Sequence, residues 1–145
     1  AKLSPEEINE LISDSTNHEG KSHQIKAIAE QIETDFQGNL PADFETLTSF
    51  KGVGPKCANL ALGIASGQAR IGVDIHVHRV TNRWGYVGAK TPEKTMEALE
   101  GKLPEQYWVE INRLLVPFGK HVCRGSYPRC SDCILREMCP KIGIK

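Results

Sequence analysis

The chain has 145 residues, and its 18 Lys and Arg balance 18 Asp and Glu, so the formal net charge is zero. This length allows one good core or two small lobes. No apolar run is long enough to span a membrane and the first residues have no signal-peptide core, which favours an intracellular protein without a membrane segment.

The neutral total hides an uneven distribution of charge. Residues 1–50 carry three Lys and Arg against ten Asp and Glu, a net charge of −7. Residues 51–101 carry seven against four, or +3, and residues 102–145 carry eight against four, or +4. A basic surface of this kind attracts polyanions, although solvated helix faces would give the same balance.

We predict an all-α fold, and the helix signals begin at the first residues. Ser4-Pro5-Glu6-Glu7 is a capping box with proline at the first helical position. Apolar residues from Ile25 to Phe36 recur at intervals of three and four, and Gly38 ends this helix. Asp43 can cap a short third helix.

Four further helices are predicted from Pro55 onward. The first opens at Pro55 and runs from Lys56 to Ser66, and the next runs from Asp74 to about Trp84. Thr91-Pro92 starts a helix that ends near Gly101, and the last covers Tyr107 to Phe118. No segment shows a convincing strand alternation.

Four of the five cysteines lie close together near the C-terminus. Cys123, Cys130, Cys133 and Cys139 are separated by six, two and five residues. This run has too few apolar neighbours to form a core, so it indicates a tetrahedral zinc or an iron–sulfur cluster. Only one CxxC pair is present and all four lie in one loop, which favours the iron–sulfur cluster. Two disulfides in an oxidising compartment are the remaining alternative.

A glycine hairpin, Gly52-Val53-Gly54, joins two of the predicted helices. The glycines permit a tight turn that side chains would block. Its amides, with the N-terminus of the next helix, can point at a phosphate, a contact that positions DNA without reading sequence. Alone, the hairpin would be explained equally well as a plain helix connection.

Lys56 and Asp74 are the candidate catalytic residues. Both are predicted at helix N-termini, where the positive helix end disfavours a protonated amine and can leave a lysine as a neutral nucleophile. A nearby carboxylate can handle protons or stabilise a developing cation. Taken alone, Asp74 would be explained as a helix cap.

The motifs GVGPK, VDIHVHRV and Cys-x6-Cys-x2-Cys-x5-Cys, in this order, resemble the endonuclease III family of DNA glycosylases and AP lyases. The similarity runs from about Leu3 to Cys139. It implies an all-α helix-hairpin-helix glycosylase fold with a C-terminal iron–sulfur cluster loop, in domains 1–72 and 73–145. It also implies a bifunctional enzyme of base excision repair. Such an enzyme removes oxidised pyrimidines from duplex DNA through a lysine Schiff base and β-elimination.

The resemblance also implies roles for individual residues. Lys56 matches the catalytic lysine and Asp74 the catalytic aspartate, while the glycine hairpin matches the phosphate-binding hairpin. The four clustered cysteines match the ligands of a [4Fe–4S] cluster, which in the family is not the base-release catalyst. The loop that the cluster shapes carries Arg124 and Arg129 to the DNA backbone.

The chain begins inside the family pattern, without its opening helices, so we expect a fragment or a divergent short form. The apolar faces near Ile8 and Ile25 are then expected to lack partners. A second interpretation follows, namely an iron–sulfur DNA-binding module with little or no glycosylase activity. Cys57 stands apart from the other cysteines and is expected to be a small buried thiol.

The expected partner is double-stranded DNA that contains damaged pyrimidines or abasic sites. We expect no membrane partner, and we expect a monomer, with or without a further N-terminal segment. The location implied is the cytoplasm or nucleoid of a prokaryote, or the nucleus or mitochondrion of a eukaryote.

Overall fold

The computed structural model describes residues 1–144, which form seven α-helices. No strand forms within these residues, and the all-α prediction is confirmed. The chain divides into two compact units, Ala1–Gly54 and a second that begins at Pro55. The predicted domain boundary after residue 72 stays a prediction. Across residues 1–144, no helix combines the length and the apolar character needed to cross a bilayer.

Three helices build the first unit: α1 (Pro5–Leu11), α2 (His18–Phe36) and α3 (Phe44–Ser49). The predicted capping box starts α1, since the Glu7 amide donates to Ser4 Oγ at 3.2 Å and the Ser4 amide donates to Glu7 Oε2 at 2.7 Å. Asp43 caps α3 as predicted, because its Oδ1 accepts from the Thr46 amide at 2.8 Å. Local sequence signals therefore set the starts of both short helices.

The first unit has a small apolar core. Ile8, Leu47 and Phe50 are buried, and the Phe50 ring meets that of Phe36 edge-on with 6.4 Å between centroids. The expectation of unpartnered apolar faces is wrong for Ile8, because α1 packs against α2 and covers it. Ile25 remains 43% exposed on α2.

Four helices build the second unit: α4 (Pro55–Ser66), α5 (Ile75–Arg83), α6 (Pro92–Glu100) and α7 (Trp108–His121). Asp74 and Thr91 cap α5 and α6 with their side chains, as their positions predict. A single 3₁₀ turn, Glu105–Tyr107, leads into α7. α7 runs past its predicted end at Phe118, with Pro117 inside it.

The core of the second unit lies around α5, which packs against α6 and α7, while α7 also contacts α4. Gly63 permits this last contact, because an added Cβ there would lie 3.1 Å from Val109 Cγ2. The Trp84 and Phe118 rings pack at the edge of the core with centroids 5.9 Å apart. The buried cluster consists of Ile71, Val73, Val77, Val80, Val87, Leu99, Ile111, Leu115 and Cys123.

Candidate functional site

The glycine hairpin lies at the end of the first unit, and a side chain of α2 supports it. Gly52 has a φ of +85°, which an L side chain rarely adopts, and the Val53 amide closes the turn on the Phe50 carbonyl at 3.1 Å. Gln24 Nε2 donates to the Lys51 carbonyl at 2.5 Å. An added Cβ on Gly52 would lie 1.7 Å from that Nε2 atom. The positive φ and the Gln24 contact therefore both favour glycine at position 52.

Gly54 is different from Gly52. It has no positive φ, it is exposed, and an added Cβ would meet no atom within 4 Å. The packing would therefore accommodate a side chain at position 54. A glycine at an open backbone position is compatible with close approach by a ligand.

Asp74 is held firmly at the start of α5. Its Oδ1 accepts from the amides of His76 and Val77, both at 2.8 Å, and the side chain is half-buried. Within residues 1–144, Oδ2 of Asp74 has no hydrogen-bond partner. The carboxylate thus has one oxygen that fixes its orientation and one oxygen left for another group.

Lys56 lies exposed in the first turn of α4, and the segment leading to Asp74 packs against that helix. The contact is through Gly72, where an added Cβ would lie 2.6 Å from Leu60 Cγ and 3.2 Å from the Lys56 carbonyl oxygen. The structure therefore brings together the two chain segments that carry the predicted catalytic residues. No ion pair joins Lys56 to Asp74 in the described part of the chain.

Two asparagines fix the segment before Asp74. Asn59 Nδ2 donates to the Ile71 carbonyl at 2.9 Å, and Asn112 Nδ2 donates to the Gly72 carbonyl at 3.2 Å. Both are buried, and Asn59 Oδ1 is the one buried side-chain polar atom of residues 1–144 without a hydrogen-bond partner. Sequence reasoning missed both residues, because each carbonyl partner lies at least 12 positions away in the chain.

Arg79 is a further residue that the sequence analysis missed. Its Nη2 donates to the Gly119 carbonyl at 2.8 Å and to His76 Nδ1 at 3.0 Å, and its Nε donates to the Cys123 carbonyl at 3.1 Å. Gly119 permits this approach, since an added Cβ would lie 2.8 Å from His76 Cβ. α5 is thereby tied to the end of α7 and to the first clustered cysteine.

All four clustered cysteines line one cavity, together with Trp84 and Phe118. All five cysteines are free, so the structure contains neither disulfide of the alternative interpretation. Across residues 1–144, no three Cys, His, Asp or Glu side chains come close enough to share a single ion. Soft sulfur donors around a cavity are compatible with a larger centre such as an iron–sulfur cluster.

Cys57 lies outside this group, as its sequence position suggests, but the expectation that it is buried is wrong. It is exposed on α4. The buried face of that helix is carried instead by Ala58, Asn59, Leu62 and Gly63.

The loop between Cys123 and Cys130 presents both arginines that the resemblance assigns to DNA. Arg124 is exposed, and its Nη2 donates to the Tyr127 carbonyl at 3.2 Å. Arg129 is exposed as well and donates from Nη2 to Asp132 Oδ2 at 2.9 Å. The Ser131 hydroxyl and then the Arg129 guanidinium hold the pKa of Asp132 below its usual range. A phosphate that binds Arg129 would therefore compete with Asp132.

The comparisons with known proteins agree with this helical arrangement. The family model for HhH-GPD superfamily base excision DNA repair proteins matches residues 1–105. Endonuclease III of Thermotoga maritima is 38% identical over 139 residues, which cover 96% of this chain and 65% of the relative. The endonuclease III-like protein 1 of Bos taurus is 43% identical over 123 residues, which cover 83% of this chain and 40% of the relative.

A solved structure gives the same result for the fold. It is a trapped endonuclease III–DNA covalent intermediate in an estranged-adenine complex, with a TM-score of 0.80 and 26% identity over 96% of this chain. The match covers 66% of that chain, so this chain spans about two thirds of its length. The chain belongs to the HhH-GPD superfamily of base excision DNA repair proteins and, within it, to the endonuclease III family.

Proposed function

We propose that this chain is a base excision repair glycosylase with AP lyase activity that removes oxidised pyrimidines from duplex DNA. The observation that carries the proposal is the packing at Gly72, which holds the segment leading to Asp74 against the helix turn that carries Lys56. A lysine and a carboxylate at neighbouring helix starts suit covalent catalysis. The similarity to an endonuclease III trapped on DNA supports the same chemistry.

In this proposal, Lys56 is the nucleophile. Its amine attacks the sugar C1′ of a nucleotide flipped out of the stack, the damaged base leaves, and a Schiff base forms. β-Elimination then cuts the strand on the 3′ side. Asp74 takes up a proton or stabilises the developing cation through Oδ2, while the two amides on Oδ1 keep the carboxylate in place.

DNA binding in this proposal is through the phosphates. The open backbone at Gly54 lets a phosphate approach the hairpin amides, and the exposed Arg124 and Arg129 add positive charge. The affinity should therefore fall steeply as salt is raised. The protein acts as a monomer on double-stranded DNA in the compartment that holds the DNA.

The four clustered cysteines hold a [4Fe–4S] cluster in this proposal. The donor set fits, because four free thiols line one cavity whose wall also carries Arg129, Arg136 and Lys141. Bound at these four thiols, the cluster would hold the ends of the loop together and would take no part in base release. Analysis of anaerobically prepared protein should give about four irons per chain, as four-cysteine cubane ligation requires. Stoichiometric zinc without iron would contradict this part of the proposal.

Borohydride trapping on abasic DNA tests the catalytic proposal. The parent chain should form a covalent adduct, and abasic sites should be processed faster than intact lesions because no base has to leave. Lys56→Gln should abolish trapping and strand cleavage while DNA binding is retained, since glutamine is neutral and of similar volume. Lys94→Gln is the matched control, because Lys94 is an exposed α6 lysine paired with Glu97 at 2.8 Å.

Two results would contradict the catalytic proposal. If Lys56→Gln traps as well as the parent, another amine is the nucleophile. If the parent binds DNA but never traps, the DNA-binding module with little or no activity becomes the better interpretation.

A further inference from the structure

Arg83, the last residue of α5, bonds to the start of the cysteine loop, which is defined here as residues 123–139, and to the segment that follows the loop. Its Nη1 donates to the Arg124 carbonyl at 2.6 Å and to the Cys123 carbonyl at 3.4 Å, and its Nη2 donates to the Gly125 carbonyl at 2.9 Å. Its own carbonyl accepts from the Ile142 amide at 3.0 Å. A single residue thus fixes the first cysteine and the segment that follows the last cysteine.

The guanidinium of Arg83 also approaches a sulfur. Its Nη1 lies 3.5 Å from Cys123 Sγ, and Cys123 is only 8% exposed. A guanidinium presents several N–H donors in a rigid fork, which matches three successive carbonyls and one sulfur. Cys139 Sγ lies 3.8 Å from the Arg83 carbonyl, but that contact needs a thiol proton and would be lost on metal binding.

This pattern resembles that of Arg79 and differs from that of two exposed arginines of the cysteine loop. Arg129 and Arg136 are exposed, and each pairs with a carboxylate close by in the sequence, Asp132 and Glu137. Arg83 is half-buried, and its side-chain partners lie 40 to 42 positions away. An arginine placed only for solubility would not direct its guanidinium at three successive backbone carbonyls of a distant segment.

We propose that Arg83 is a positioning residue that closes the cysteine loop and places a positive charge on the sulfur of Cys123. The part of this inference that concerns a bound cluster rests on the proposed function. Hydrogen bonds and positive charge at a ligand sulfur stabilise the more reduced state of an iron–sulfur centre. Arg83 should therefore slow cluster loss and raise the reduction potential of the cluster.

The test compares Arg83→Gln and Arg83→Lys with the parent chain and with Arg113→Gln. Arg113 is the matched control, because it is an exposed α7 arginine paired with Glu110 at 2.8 Å. Iron transfer to a chelator should be about 10- to 100-fold faster in Arg83→Gln, as for other lost partners of metal ligands. Arg83→Lys keeps the charge but not the fork, so iron loss should still accelerate while the potential stays near the parent value. The potential should be lower in Arg83→Gln and unchanged in Arg113→Gln.

A metal-free measurement tests the loop closure separately. In metal-free protein, the Arg129 amide, which donates to the Val122 carbonyl at 2.9 Å, reports on the segment that the Arg83 side chain holds. Amide hydrogen exchange at Arg129 should be faster in Arg83→Gln than in the parent or in Arg113→Gln. Circular dichroism checks that the helices persist in each variant. If Arg83→Gln does not fold, hydrogen exchange in Arg83→Lys is compared with that in the parent chain instead.

Distinct results overturn the inference and the proposed function. The role of Arg83 would be overturned if the parent holds iron and neither Arg83 variant changes the rate of iron loss, the reduction potential or the rate of amide hydrogen exchange. The proposal of a cluster would then still stand. A parent that never holds iron would overturn the cluster and the charge effect on it, and hydrogen exchange would then decide whether Arg83 closes the loop.

Discussion

The two compact units of this chain differ in how much apolar surface they bury and in their charge. The first unit buries three large apolar side chains, Ile8, Leu47 and Phe50, whereas the described part of the second buries eleven apolar residues. Residues 1–54 have four Lys and Arg against ten Asp and Glu, a net charge of −6, and residues 55–145 have fourteen against eight, or +6. The second unit therefore has the stronger core and the charge that suits a polyanion.

This difference matches the division of tasks in the proposed function. Asp74 caps a helix whose inner face, Val77 and Val80, is fully buried, so the second unit can hold a catalytic carboxylate rigidly. The hairpin of the first unit depends instead on a single side chain of α2, since Gln24 contacts Lys51 and Gly52. Substitutions in the second unit should accordingly change the rate of catalysis, whereas substitutions at the hairpin of the first unit should change phosphate binding.

The largest expected effect is that of Asp74→Asn on catalysis. Asparagine is as good a helix cap as aspartate, so α5 should persist, but the carboxylate charge is lost. Single-turnover cleavage of abasic DNA should slow by about 100-fold or more, in line with the loss of a general acid or base. The thermal midpoint and DNA affinity should stay close to those of the parent. Cleavage at the parent rate would show that the charge of Asp74 is not needed.

A series of Leu→Ala substitutions compares the two cores directly. Leu99→Ala should lower the free energy of unfolding by about 2–5 kcal/mol, since Leu99 is fully buried in the second unit. Leu47→Ala should have a smaller effect, because the first unit has fewer buried neighbours to lose. Leu11 is 74% exposed, so Leu11→Ala should change stability by less than about 0.5 kcal/mol. Urea unfolding measures all three, and a larger loss for Leu47 than for Leu99 would reverse the comparison.

Substitutions at the two glycines of the hairpin should have different effects, with Gly52 affecting the stability of the fold and Gly54 affecting DNA binding. Gly52→Ala should destabilise the protein by about 1–2 kcal/mol, because a Cβ is disfavoured at positive φ, and the Gln24 contact adds to this. Gly54→Ala should leave stability nearly unchanged, since nothing lies within 4 Å of the added Cβ.

DNA binding provides the second half of the glycine comparison. Gly54→Asp places a carboxylate where a phosphate should approach, so it should weaken binding to every DNA sequence. Fluorescence anisotropy at two salt concentrations measures this, with Gly54→Ala as the control. Equal affinity for the parent and Gly54→Asp would remove the hairpin from the DNA interface.

Local sequence signals predicted most of the fold. Ser4, Asp43, Asp74 and Thr91 cap the helices that follow them, because a cap needs only a side chain and an amide two or three residues away. The sequence did not predict which contacts fix the site, since these join distant segments. Gly72 against Leu60 and Arg83 against Gly125 are set by tertiary packing, which periodicity does not encode. The exposure of Cys57 was mispredicted for the same reason.

Mapping the trapped adduct shows directly whether Lys56 is the nucleophile. The parent chain is trapped with borohydride on abasic DNA, the DNA is digested, and the peptides are sequenced by mass spectrometry. The sugar remnant is expected on Lys56, and trypsin should then no longer cleave after Lys56. A remnant on any other amine, such as Lys51 or the Ala1 amino group, would contradict the assignment of Lys56 as the nucleophile.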